Sequence, residues 1–213
     1  MTTFSHPDRH RIHALPGAAR RRTTRRGFTI VEVLLVVAVI AILLALLIPV
    51  ASTVRDNAMR NKTRAQLAQY ATAYEAFRAD RGHYPSMGAP GAEFNLRGNN
   101  AVFVETLTGR GLDGNPATNA YALRVNPNRE RYYTFTAAEF APAGDSREGE
   151  IVDAFGNPNI VVVSDRRGGG VVRSADFQIL PAERRPDTLM GGVFFYTANP
   201  DEDPEWEWIV TWE

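Results

Sequence analysis

Glu32 is the residue of this chain best placed to do chemistry. It stands in Phe28-Thr29-Ile30-Val31-Glu32-Val33, at the head of a run from Val33 to Ile48 that holds no polar side chain. A carboxylate inside a lipid-embedded segment costs about 2.5–3.5 kcal/mol near the centre and less near the boundary. Such a group needs a partner of opposite charge. A second set of candidates lies near the carboxy terminus, in Asn199-Pro200-Asp201-Glu202-Asp203-Pro204-Glu205; residues 198–213 hold six acids and no base. Asp201 and Asp203 are candidate ligands for a hard cation such as calcium, which takes about six to eight oxygens. A solvated acidic turn accounts for the same composition.

Other chemistry is scarce. Of the four histidines, His6, His10 and His13 sit near the start, where a metal site would need further ligands and a rigid frame. An unstructured leader explains them more simply. His83, at the end of a helical pattern, reads as a capping or packing residue. Cysteine is absent, so an exported domain would hold without disulfides. There is no Gly-x-Ser-x-Gly, no His-Glu-x-x-His and no phosphate-cradling glycine loop. The chain reads as structural, not as an enzyme.

The element that positions Glu32 is a helix. Val33 to Ile48 would rise about 24 Å as a helix, and Phe28 to Ala51 about 36 Å, against a hydrocarbon layer of about 30 Å. An isolated apolar stretch can satisfy its backbone in lipid only as a helix. The net charge of zero conceals an asymmetry: residues 1–26 carry seven Arg against Asp8 alone, so the remainder has a net charge of −6. Basic residues flanking a span stay in the cytoplasm, which puts the amino terminus inside and everything after Ala51 outside. The arginines serve topology, recognition by a processing enzyme, or both; nucleic-acid binding is not expected of an arm that abuts a membrane helix. A secretory signal has its small-residue cleavage site after the apolar region, whereas Gly27 stands before it.

Arg25-Arg26-Gly27-Phe28-Thr29-Ile30-Val31-Glu32-Val33 resembles the class III signal of type IV pilins and type II secretion pseudopilins. The resemblance implies cleavage between Gly27 and Phe28 by a membrane prepilin peptidase, N-methylation of Phe28, and a role for Glu32 in assembly. Glu32 of one subunit would pair with the freed amine of Phe28 on its neighbour; snorkelling of Glu32 to the interface is the competing reading. The implied partners are copies of the chain, other pilin-like subunits, the peptidase, the inner-membrane assembly platform and lipid. The implied location is the bacterial inner membrane, then a periplasmic or extracellular filament. The lack of cysteine favours the pseudopilin branch, because many type IV pilins close their carboxy-terminal region with a disulfide. A calcium site in the loop between the last strands is also a pseudopilin feature, although the two prolines here depart from the pattern. The alternative from another class is a single-pass binding or receptor protein that keeps its leader.

The divisions expected are a leader over 1–27, an assembly helix over 28–51, its amphipathic continuation over 52–82 and a loop-rich, β-containing domain over 83–213. Pro49 cannot donate to the helical ladder, so a kink is expected there. Leu67, Tyr70, Tyr74 and Phe77 recur at helical steps and form one apolar stripe. Gly82 and Pro85 end the helix. A short helix over Ala101–Thr108 would have Asn100 as its cap and Gly109 as its stop. Tyr132 to Phe135 form a short strand or a buried loop. Asn159–Ser164, Val171–Leu180, Val193–Thr197 and Glu205–Trp212 read as strands. Arg166 to Gly170 would join the first two, and Trp206, Trp208, Val210 and Trp212 would face the helix stripe. The expected class is α+β: a long N-terminal helix packed on a small C-terminal antiparallel sheet, the pilin fold.

Overall fold

The computed structural model describes residues 27–87, 93–198 and 208–212, with the side chains of 46–51 outside that description. Helix α1 runs Ile30–Arg81 and includes Pro49. The chain divides into two units, Met1–Ile48 and Pro49–Glu213, and each is described by itself.

In the first unit every described side chain of α1 is exposed, from Ile30 at 81% to Leu44 at 52%. A helix that is apolar all round belongs in a lipid or protein environment rather than in water. Among the described residues no helix is long and apolar enough to cross a membrane. The apolar run continues through 46–48, beyond the described side chains.

In the second unit α1 buries one stripe. Leu67, Tyr70, Tyr74 and Phe77 are all fully buried, at the spacing that puts them on one face. Each such burial contributes about 1.5–3 kcal/mol. The stripe packs on one face of a four-stranded antiparallel sheet, in the order β1 (Glu93–Asn95), β2 (Ile160–Ser164), β5 (Val193–Thr197), β6 (Ile209–Val210). Ile160, Val162 and Phe195 face α1 and join Leu67, Tyr70 and Tyr74 in one core. The α+β class and the helix-then-antiparallel-sheet layout are those read from the sequence.

Several details differ. The residues Val171–Leu180 do not form one long strand beside β2. Only β3 (Val171–Arg173) is extended, and it pairs with β4 (Thr188–Met190) in a separate two-stranded sheet. Asp165 dictates this: its carboxylate accepts from the backbone N–H of Arg167 at 2.8 Å and of Gly170 at 2.6 Å, winding the glycine tract into a loop. The places beside β2 are taken by β1 and by β5, with Val162 opposite Phe195 in the latter.

The tryptophans also face the other way. Trp208, Val210 and Trp212 pack with Val161, Val163, Phe177 and Tyr196 in a second core, on the opposite side of the sheet from α1. All five residues of β2 are buried, so the sheet has two covered faces, not one. Trp206 lies outside the described residues. Tyr132 to Phe135 have no strand pairing and pack as a loop against the first core. Helix α2 spans Asn100–Thr108 and stops at Gly109, which takes the left-handed conformation at φ 66°. Its N-cap is Asn99, not Asn100; the Asn100 side chain instead accepts from the Ile151 N–H at 3.0 Å. A further helix, α3 (Ala120–Val125), is capped by Asn119, whose side chain accepts from the N–H of Tyr121 and Ala122.

Candidate functional site

The start of α1 is a reciprocal cap. Thr29 Oγ1 accepts from the Glu32 N–H at 3.2 Å, and Glu32 Oε2 accepts from the Thr29 N–H at 3.4 Å. The Thr29 carbonyl takes the first helical bond, from the Val33 N–H at 3.2 Å. A Thr at the cap and a Glu three residues on satisfy two donors that a helix terminus otherwise leaves free. This is why the helix begins at Ile30 and not at Phe28, where the sequence reading put it. Glu32 also lies in the first turn, where a negative charge is favoured by the helix dipole. The Thr-x-x-Glu spacing before an apolar run was the signal for it.

The other residues singled out from the sequence stand apart from this cap. Phe28 is 78% exposed. A Cβ built on Gly27 would meet nothing within 4 Å, so the isolated chain imposes no demand for glycine there. Pro49 lies within α1 at the boundary between the two units. Asp201 and Asp203 lie outside the described residues. Among the described residues no cluster of three or more His, Asp or Glu could hold a metal ion.

Buried polar groups that periodicity could not reveal tie α1 to its domain. Tyr70 donates its hydroxyl proton to Glu139 Oε2 at 2.7 Å, while Gln66 Nε2 donates to Tyr70 Oη and to the Val152 carbonyl, both at 2.9 Å. Because that carbonyl can only accept, the Gln66 amide has one orientation and the Tyr70 proton one destination. The other oxygen of Glu139 accepts from the Thr136 N–H and Oγ1, both at 2.9 Å. Tyr133 Oη lies 3.1 Å from Glu139 Oε2 and 3.0 Å from Gln69 Oε1, so its single proton serves one or the other. Burial, reinforced by the Glu139 charge, pushes the Tyr70 and Tyr133 hydroxyls well above the ordinary phenol range.

A second carboxylate, Glu93, fixes the sheet edge. It accepts from the Tyr196 hydroxyl and from the backbone N–H of Gln178 at 2.6 Å and Ile179 at 2.7 Å. Asp153 organises the turn before β2, accepting from the N–H of Phe155 at 2.8 Å and Asn157 at 2.9 Å. Its Oδ2 is buried without a partner, and burial raises its pKa above the ordinary 3.8 despite those bonds. Tyr84 lies at the stop of α1 with its hydroxyl between Glu75 Oε1 at 2.5 Å and Arg78 Nη1 at 3.0 Å. Burial, with the Glu75 bond, pushes it up to about 12.

Among the described residues no catalytic constellation is formed; the first unit offers a capped helix start followed by exposed apolar side chains. The Prokaryotic N-terminal methylation motif matches residues 22–48, which take in the cap and most of the apolar run. The type II secretion system core protein G of Klebsiella michiganensis is 30% identical over 66 residues, which is 31% of this chain and 46% of that protein. The chain thus spans about half the length of the curated relative it matches. No solved structure matches the chain. The methylation motif and this relative support the resemblance to pilin-like proteins and pseudopilins carried by Arg25 to Val33. The resemblance is to a structural family.

Proposed function

We propose that the chain is a structural subunit of a type IV pilus-like filament, of the type II secretion pseudopilin kind. In this reading prepilin peptidase cuts between Gly27 and Phe28, Phe28 is N-methylated, and the subunit waits in the bacterial inner membrane with its domain on the periplasmic side. It then joins copies of itself and other pilin-like subunits on an inner-membrane assembly platform. The observation that carries the proposal is the conjunction at the head of α1. An acid in the first turn is followed by a helix whose described side chains are apolar and exposed on every side down to Ala45.

Cleavage would place a charged amine on Phe28, one residue before the cap and at the positive end of the helix dipole. A carboxylate nearby offsets that repulsion. Glu32 of one copy would pair with the Phe28 amine of the next and set the axial register of the bundle. Mass spectrometry of the amino terminus, on protein recovered from membranes of the host, tests the proposal. A mature chain starting at N-methyl-Phe28 is the expected result. An intact Met1 or Thr2 start overturns it and points to an unprocessed single-pass receptor.

A further inference from the structure

We propose that the hollow beside the end of α2 is a docking pocket for one aromatic side chain carried on an acidic peptide segment of a partner. Its volume is about 270 Å³, and its apolar wall includes Val104, Leu112, Tyr133, Phe135 and Phe140. That is below the ~300–1,000 Å³ of most small-molecule sites, and it suits a single anchoring residue.

The wall is the outer end of the aromatic core. Phe103 meets Phe135 edge-on at 5.8 Å, Phe135 meets Tyr133 edge-on at 4.7 Å, and Phe140 lies 5.8 Å from Phe135. Phe103 is fully buried, whereas Tyr133, Phe135 and Phe140 are only half-buried, so the series of rings stops at the hollow with its last members partly wet. A further ring placed there would gain edge-to-face contacts, worth about 0.5–1.5 kcal/mol each beyond area burial. Leu112, 52% exposed on the lip, would be covered by the same event.

Charge selects the rest of the occupant. Arg110 and Arg131 line the hollow, and both are exposed. Arg110 spends one donor on the Gly114 carbonyl at 3.0 Å, while Arg131 has no hydrogen-bond or ion-pair partner among the described residues. Asp113, the acid on the adjoining loop, is engaged by Asn115, which holds its pKa below the ordinary value. Two guanidinium groups beside an open apolar hollow favour a ring flanked by carboxylates, through cation–π contact and charge-assisted hydrogen bonds. Arg, Tyr and Trp are also the residues that dominate binding energy at interfaces. The chain's own Glu205-Trp206-Glu207 has this composition and supplies a probe. The inference does not depend on filament formation.

The test uses the full chain in detergent micelles and a fluorescein-labelled peptide with the sequence of residues 199–207, followed by anisotropy. The expected result is saturable binding that falls at least tenfold when the peptide carries W206A. Binding should fall at least tenfold in Arg131→Glu, and also in Leu112→Trp, which fills the hollow from its lip. Near-UV circular dichroism checks that both variants keep the native fold. Raising salt from about 50 to about 500 mM should weaken binding, since exposed charges are screened over a few ångströms at high ionic strength. Absence of saturation, equal binding of the W206A peptide, or binding that ignores both protein variants would each overturn the proposal.

Discussion

Removing the Tyr70 hydroxyl asks what holds α1 on its sheet. Tyr70→Phe keeps the ring and its edge contacts with Phe103 at 5.4 Å and Phe195 at 5.8 Å, and deletes only the bonds to Glu139 and Gln66. Gln66 keeps the Val152 carbonyl and Glu139 keeps Thr136, but the Gln66 N–H that faced Tyr70 Oη loses its acceptor. What disappears is a buried bond to a carboxylate, worth about 1.5–3 kcal/mol net. For a unit of this size about 1 kcal/mol corresponds to ~2–4 °C in Tm, so a fall of about 3–12 °C is expected. Glu139→Ala should cost more, since it also removes the acceptor of Thr136 and leaves Tyr70 Oη without its own acceptor. The cycle Tyr70→Phe, Glu139→Ala and the double variant should return a coupling of about 1.5–3 kcal/mol, the worth of a bond to a charged group, within the ~0.5–3 kcal/mol seen for residues sharing one network. Thermal unfolding of the full chain in micelles, followed by near-UV circular dichroism, reads the domain while detergent covers the apolar helix. A coupling below about 0.5 kcal/mol would refute the reasoning, leaving ring packing alone to hold the helix.

Three other perturbations reach separate parts of the chain. Glu32→Leu should abolish crosslinking between neighbouring copies at normal subunit levels, assayed with single cysteines introduced near the head of α1 into a chain that has none; unaltered crosslinking would remove the proposed pairing with the Phe28 amine. Gly192→Ala would put a Cβ 1.7 Å from Tyr84 Oη and 2.5 Å from Cζ, so the Tyr84 ring must leave its place. A loss of about 1–3 kcal/mol is expected from overpacking, and an unchanged Tm would show that the ring has room to shift. Asp153 has its pKa raised in the folded state, so the folded chain binds more protons than the unfolded one above pH 3.8, and stability should fall as pH rises through the folded pKa. Asp153→Asn should flatten that part of the stability–pH curve, and a curve of unchanged slope would show that another group titrates there.

The parts of the fold legible in the sequence are those set by local periodicity. Leu67, Tyr70, Tyr74 and Phe77 announce their face because three- and four-residue steps return to the same side of a helix, and Gly109 announces a stop because few other residues adopt its φ cheaply. Strand β1 was missed because its three residues are held by partners far along the chain, Glu93 opposite Val163 and hydrogen-bonded to Tyr196. The facing of Trp208 and Trp212 was misread for a different reason. Alternation says which residues share a side but not which of two layers that side meets, and the unbroken apolar run Ile160–Val163 was the clue that both sides are covered. The Glu139 network joins residues 66, 70 and 139 through bonds between groups up to 69 positions apart, which no local pattern encodes.

At the candidate site the sequence singles out Glu32 but not its local use as a cap. The cap explains Glu32 as a helix starter, and that explanation alone falls short. A capping interaction contributes about 0.5–2 kcal/mol, and here the bond from the Thr29 N–H to the carboxylate is long, at 3.4 Å. Ser or Thr at the cap with Gln at the third position would satisfy the same donors without a charge. A carboxylate near the edge of a lipid-embedded helix costs energy that a cap of this geometry barely offsets. In the proposed mature chain, the Phe28 amine of a neighbouring copy would offset that residual cost. In the proposed filament, capping and pairing would act in sequence on one side chain: the cap holds the carboxylate at the head of α1, and the amine of a neighbouring copy would neutralise it when helices meet.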